Sequence, residues 1–187
     1  MSKEKFISEY NDIITREGAD KLLAWLEQSD FFTAPASTKY HSAHEGGLCE
    51  HSLNVLKHLT VLNSIYKITE NGETLAIVAL LHDLCKVGFY KTDMRNVKDE
   101  SGAWKQVPYY VVDDQFPYGH GEKSVYMIGA FMKLTREEAM AIRWHMGLGE
   151  DYAGRCACQA AFQQYPLAQL LHISDMLAAN FEDREGK

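Results

Sequence analysis

An adjacent histidine–aspartate pair, His82-Asp83, stands at the end of an apolar run in Leu80-Leu81-His82-Asp83-Leu84-Cys85-Lys86. Two polar groups in such surroundings need partners, because an unsatisfied buried carboxylate is costly. Candidate partners are spread along the chain. His51 follows Gly46-Gly47-Leu48-Cys49-Glu50, and His120 lies in Gly119-His120-Gly121. His145 lies in Arg143-Trp144-His145-Met146-Gly147, and Asp175 in Ile173-Ser174-Asp175. Four histidines and two aspartates on helices and helix ends are the donor set from which a bundle core cages metal ions. Imidazole and carboxylate suit Fe, Mn, Co, Ni or Zn. Asp83, flanked by a ligating histidine and with two free oxygens, is the natural bridge between two ions. Lys86 lies one helical turn further on. As a residue near a helix C-terminus it would complement the helix dipole.

The elements that must position these residues read mostly as helix. Phe6, Ile7, Tyr10, Ile13 and Ile14 share one face, with Gly18 a stop, and Leu22, Leu23 and Leu26 predict a second short helix. Leu48, Ser52, Val55, Leu56, Leu59 and Leu62 predict a long amphipathic helix carrying His51. Residues 73–85 are apolar enough for a buried helix, and residues 122–133 predict another. Thr135-Arg136-Glu137-Glu138 is a capping-box pattern opening a helix to about Trp144. Two more helices are expected over residues 156–164 and 167–181, with Pro166 near the start of the second. Residues 86–119 break the pattern. Their segment Trp104–Val112 is rich in strand formers and predicts a short hairpin or ordered flap. A connection of this length is more often functional or disordered than idle, and seven of its residues are aromatic, which argues for order.

Composition narrows the function. The formal net charge of −7, from 19 Lys+Arg against 26 Asp+Glu, disfavours a broad grip on duplex nucleic acid or an anionic membrane. The longest apolar run, residues 75–81, is far too short to span a bilayer. The N-terminus has no apolar signal core, and a cytoplasmic protein is expected. Cys49, Cys85, Cys156 and Cys158 show no disulfide framework, and Cys156-Ala157-Cys158 lacks the second pair that a thiolate zinc site wants. One domain over residues 1–187 is expected: N-terminal helices in 1–35, the metal-site core in 40–180 and the insert at 86–119.

The order His … His-Asp … Asp, with HDxxK as His82-Asp83-Leu84-Cys85-Lys86, resembles the HD superfamily of metal-dependent phosphohydrolases. The approach to His51, from Tyr40-His41 through Gly46-Gly47, is similar to that in the HD domains of bacterial 3′–5′ exoribonucleases. The resemblance runs from Tyr40 to about Asn180 and implies an all-α, HD-domain-like helical bundle with a short hairpin or loop insert. It implies a first divalent transition metal held by His51, His82, Asp83 and Asp175. A second, shared through Asp83, would be held by His120 and His145, with Mg a further candidate there. The phosphohydrolases of this two-metal branch often carry paired histidines where this chain has His145-Met146. A six-ligand set without that pair also resembles the di-iron oxygenases of the same fold, and a non-catalytic metal or nucleotide sensor is a third reading. For a hydrolase, two ions about 3.5–4 Å apart would activate water and clamp the phosphoryl oxygens. Asp83 and Lys86 would then be catalytic, and Lys86, Lys91 and Arg95 would bind substrate. That substrate is expected to be a small phosphate mono- or diester such as a nucleotide, not a long RNA. No reading of oligomeric state follows.

Overall fold

The computed structural model describes residues 2–39, 41–147 and 151–183; Tyr40, part of the approach to His51, lies outside them. The described residues form a helical bundle with one two-stranded hairpin. Helices α1 (Ser2–Ile13) and α2 (Ala19–Gln28) bury Phe6, Tyr10, Leu22, Leu23 and Leu26, and Phe6 meets Phe31 and Phe32 edge-on. Helix α3 (Gly47–Tyr66) packs on α4 (Gly72–Leu81) and on α8 (Pro166–Leu177). Helix α6 (Arg136–Trp144) packs against α8, α4 and α5 (His120–Gly129), and α7 (Tyr152–Gln164) lies on α8 and α6. Every residue from Thr74 to Leu81 is buried, so α4 is the central helix of the core. Asn71 caps it by accepting from the N–H groups of Glu73 and Thr74.

The apolar pattern through Leu84 and Cys85 predicted a helix over 73–85, yet α4 stops at Leu81. Asp83 sits at φ −100°, ψ 20°, and residues 84–86 form a tight 3-10 turn. The break has a geometric purpose. Neighbouring side chains on a continuous α-helix diverge by about 100°, and leaving helical geometry lets His82 and Asp83 reach the same cluster. Helix α5 spans 120–129, not 122–133, so His120 is its first residue. Helix α8 closes at Leu177 and passes into a wide turn, Ala178–Glu182, where a helix to 181 was expected. The capping box is formed as expected: Thr135 accepts from the Glu138 N–H, and Glu138 accepts from the Thr135 N–H.

The insert is a hairpin of β1 (Tyr90–Lys98) and β2 (Trp104–Val112), in register from Tyr90 opposite Val112 to Lys98 opposite Trp104. Both strands are edges, so Pro108 within β2 is tolerated. Strand β1 was hidden in the sequence because its charged residues face solvent on both sides. The base of the hairpin is seated by the Tyr90 hydroxyl donating to the Ala36 carbonyl. It is also held by Lys123, which pairs with Asp114 at 2.7 Å beneath the rings of Phe89 and Phe116.

Candidate metal centre

Each element delivers its residue to the cluster for a local reason. His51 lies in the second turn of α3, whose start is pressed against residues 42–46. A Cβ on Gly47 would lie 2.0 Å from the Ser42 carbonyl oxygen, so only glycine permits that approach. His82 and Asp83 leave the end of α4, and His145 follows α6. His120 opens α5 beside His145, because Gly121 brings the two helices together; a Cβ there would lie 2.3 Å from the Arg143 carbonyl oxygen. Asp175 comes from α8.

The residues converge. His51 Nε2 is 3.1 Å from Asp175 Oδ1, 3.3 Å from His82 Nε2 and 3.7 Å from Asp83 Oδ2. Asp83 Oδ2 is 3.4 Å from His82 Nε2 and 2.6 Å from Lys86 Nζ. Its other oxygen faces away, with Oδ1 2.8 Å from His120 Nε2 and 3.5 Å from His145 Nε2. Three groups of donor atoms lie within metal-binding reach of one another: His51, His82 and Asp175; His82, Asp83 and His145; Asp83, Cys85 and His120.

Hydrogen bonds set which ring nitrogen is free. His82 Nδ1 donates to the Ala79 carbonyl at 2.8 Å, and His145 Nδ1 donates to the Ile142 carbonyl at 2.7 Å. A carbonyl only accepts, so both Nδ1 atoms carry hydrogen and both Nε2 lone pairs point into the cluster. His51 Nδ1 donates to Asp183 Oδ2 at 2.6 Å, and Asn54 holds the other oxygen of that carboxylate at 2.7 Å. A carboxylate behind an imidazole fixes its orientation and raises its basicity as a ligand. Asp183 is held in turn by the Ser42 N–H, which donates to its carbonyl. Nothing in the sequence marked Asp183: it sits in a charged tail and reaches His51 across 132 positions.

Charge in the cluster is under tension. Burial pushes the Asp83 carboxyl up, but the charge of Lys86, with His82 beside it and the hydrogen bond from His120, outweighs it and holds it well below its ordinary value. Asp175 is likewise raised by burial and lowered further by His51. Burial alone would lower His51, yet Asp175 and Asp183 carry it up to about 9. His82 is pushed down by burial. Two buried carboxylates, Asp83 and Asp183, and the partly buried Asp175 thus gather around the imidazoles, and His145 Nε2, fully enclosed, has no hydrogen-bond partner among the described residues. Such an orphaned lone pair beside a carboxylate fits a cation, and the nitrogen and oxygen donors suit a transition metal.

The cluster opens into a cavity of about 400 Å3 lined by Asp83, Lys86, His120 and Asp175, with Phe89, Tyr90 and Val112 from the insert and Met146 and Met176 opposite. His41 and His172 also line it, and His172 Nδ1 donates to the His145 carbonyl at 2.6 Å. Lys86 is buried, its ammonium held high because the charge of Asp83 outweighs the burial that lowers it. Lys91 and Arg95, expected at the substrate, do not line this cavity. Lys91 pairs with Asp113 at 3.3 Å on the hairpin, and Arg95 lies over Tyr109 beside a separate cavity. Position along the hairpin explains the difference: residues 91–96 are exposed on both faces of β1, and the hairpin reaches the site only at its base, through Phe89, Tyr90 and Val112.

A helical bundle with a His-Asp pair at its centre, histidines converging from three other segments and an aspartate from a fourth defines a class, and the HD domain family model matches residues 48–180. The chain belongs to the HD domain family. It is also similar to the dihydroneopterin 2′,3′-cyclic phosphate phosphodiesterase of Methanocaldococcus jannaschii, at 33% identity over 84 residues. That match covers 43% of this chain and 31% of the relative, so the chain spans less than a third of the length of the curated protein it matches. No solved structure matches. Among the described residues, no helix is long and apolar enough to cross a membrane.

Proposed function

We propose that the protein is a metal-dependent phosphohydrolase acting on a small phosphate monoester or diester with a planar, nucleotide-like organic part. One observation carries the reading. The two oxygens of Asp83 face different histidine groups, and the buried His145 Nε2 has no hydrogen-bond partner among the described residues. His51, His82, Asp83 and Asp175 would hold one divalent ion, and Asp83, His120 and His145 a second. Bound there, the ions supply an activated water and electrostatic relief for the phosphoryl oxygens. The remaining work belongs to the chain. Lys86, at the cavity wall 2.6 Å from Asp83, presents a fixed cation to a phosphate oxygen and steadies charge that grows in the transition state. Phe89, Tyr90, Val112, Met146 and Met176 give the cavity an apolar rim that suits a flat ring and excludes bulk water.

Family membership supports a hydrolase, and the archaeal relative, named for cleaving a cyclic phosphodiester, supports an ester of phosphate. The net charge of −7 favours a small substrate over a long polyanion. The test is a screen of mononucleotides, cyclic nucleotides and simple aryl phosphates. It uses protein purified without oxygen and supplied with Mn, Co, Fe or Zn. Metal-dependent ester cleavage, lost on chelation, is the expected result. Bound iron with oxygen uptake and no ester cleaved would overturn it in favour of an oxygenase.

A further inference from the structure

Cys85 is the one cysteine among the described residues that stands in the cluster, and no step above uses it. Its sulfur lies 3.4 Å from His120 Nδ1 and 3.7 Å from His120 Nε2, and His120 Nε2 is 2.8 Å from Asp83 Oδ1. The three donor atoms form one of the groups within metal-binding reach. The position is built: the Cys85 N–H donates to the buried Ser124 hydroxyl on α5, the same helix that His120 opens. A tetrahedral site with metal–sulfur and metal–nitrogen bonds of about 2.3 and 2.0–2.1 Å sets its ligand atoms roughly 3.6 Å apart, close to the spacing of Cys85 Sγ and His120 Nε2. Independently, the fully buried His145 Nε2, 3.5 Å from the same Asp83 oxygen, lacks a hydrogen-bond partner among the described residues and points to a cation on this side of the carboxylate.

We infer that Cys85 is a thiolate ligand of the second ion, completing the set of Asp83, His120 and His145. This rests on the two-ion reading above. Ligation forms a metal–sulfur bond and releases the thiol proton to solvent, with no change of oxidation state. A soft donor in this position selects Zn, Co or Fe over Mg, which removes Mg from the candidates for the second ion. With it the second ion has four protein donors: Asp83, Cys85, His120 and His145.

The experiment is a stepwise, oxygen-free titration of the full chain with Co(II), followed by optical absorption. Wild type is compared with Cys85→Ser, Cys85→Ala and Cys156→Ser, the last removing an exposed cysteine as a control. Wild type and Cys156→Ser should develop a sulfur-to-cobalt charge-transfer band with the second equivalent. The Cys85 variants should keep the ligand-field bands of the first equivalent and lack the charge-transfer band. Their affinity for the second should fall by at least about tenfold, the lower end of what even outer partners of metal ligands contribute. Two bound equivalents in wild type without a charge-transfer band would overturn the assignment. So would an unchanged band in both Cys85 variants. That wild-type result does not depend on whether a variant folds. No cobalt uptake by wild type at all would instead refute the metal cage, and with it the proposed function.

Discussion

The two sides of Asp83 differ in closure. On the His51 side the imidazoles are buried, and His51 is braced by Asp183, which is itself held by Asn54 and Ser42. On the other side His145 is also buried, but His120 is about a third exposed at the cavity mouth, with the Cys85 sulfur 3.4 Å from its Nδ1. A braced, enclosed set of donors is preorganised and should hold its ion tightly. A half-open one should exchange its ion and meet the substrate. On the proposed two-ion reading, the difference would give retention to one side of Asp83 and access to the other.

Removing the shared residue should erase the distinction. Asp83→Ala should lower ester cleavage by about 10³-fold or more, the scale of losing a preorganised electrostatic group, when kcat/KM is measured with metal in excess. His120→Ala should separate the two sides: metal analysis after dialysis should find the first equivalent retained and the second lost. Asp183→Asn tests the brace. It should weaken the first equivalent by about 10–100-fold, measured by competition with a chelating dye, and leave the second nearly unchanged.

Glu138 sharpens the comparison from outside the cage. It is fully buried and ties α6 to α4 and to the loop before α2, bonding Arg16 at 2.6 and 2.9 Å and Thr74 at 2.9 Å. Burial pushes its carboxyl up, but the hydrogen bonds from Arg16, Thr135 and Thr74 outweigh that and hold it below its usual 4.5. A carboxyl lowered on folding stabilises the protein above its unfolded value and loses that contribution as pH falls through the folded one. Glu138→Gln should therefore cost about 2–4 kcal/mol near neutral pH, because Arg16 loses its buried partner. In urea unfolding, the variant should show a shallower loss of stability than wild type as pH falls below 4.5, while its metal content is unchanged. The smallest effect is expected at Lys91, more than half exposed on the hairpin. Lys91→Ala should change stability by less than about 0.5 kcal/mol and leave kcat/KM as in wild type.

The sequence disclosed donors that sit in short, recognisable surroundings: His51 behind its glycine pair, His82-Asp83 with Lys86, and His120 between glycines. It also disclosed the helices with strong apolar periods. Hidden features depend on contacts distant in the chain or on departures from regular geometry. Asp183 looked like one more charge in a tail, because its role exists only once the wide turn after α8 carries it back to His51. The end of α4 at Leu81 was masked by apolar residues on the far side of the break. The charges of β1 gave Lys91 and Arg95 the look of a phosphate site, whereas both lie beyond the base of a hairpin whose first strand faces solvent on both sides. Cys85 was noted only as part of a set without a disulfide framework, because its place beside His120 exists only once α5 packs there.

The central claim is that one histidine–aspartate pair organises a metal cage. It is tested most directly by metal analysis of protein purified without oxygen, comparing wild type with the His82→Ala/Asp83→Ala double variant, both confirmed folded by circular dichroism. The cage predicts bound transition metal in wild type and none in the variant. Metal retained by the folded variant would contradict it.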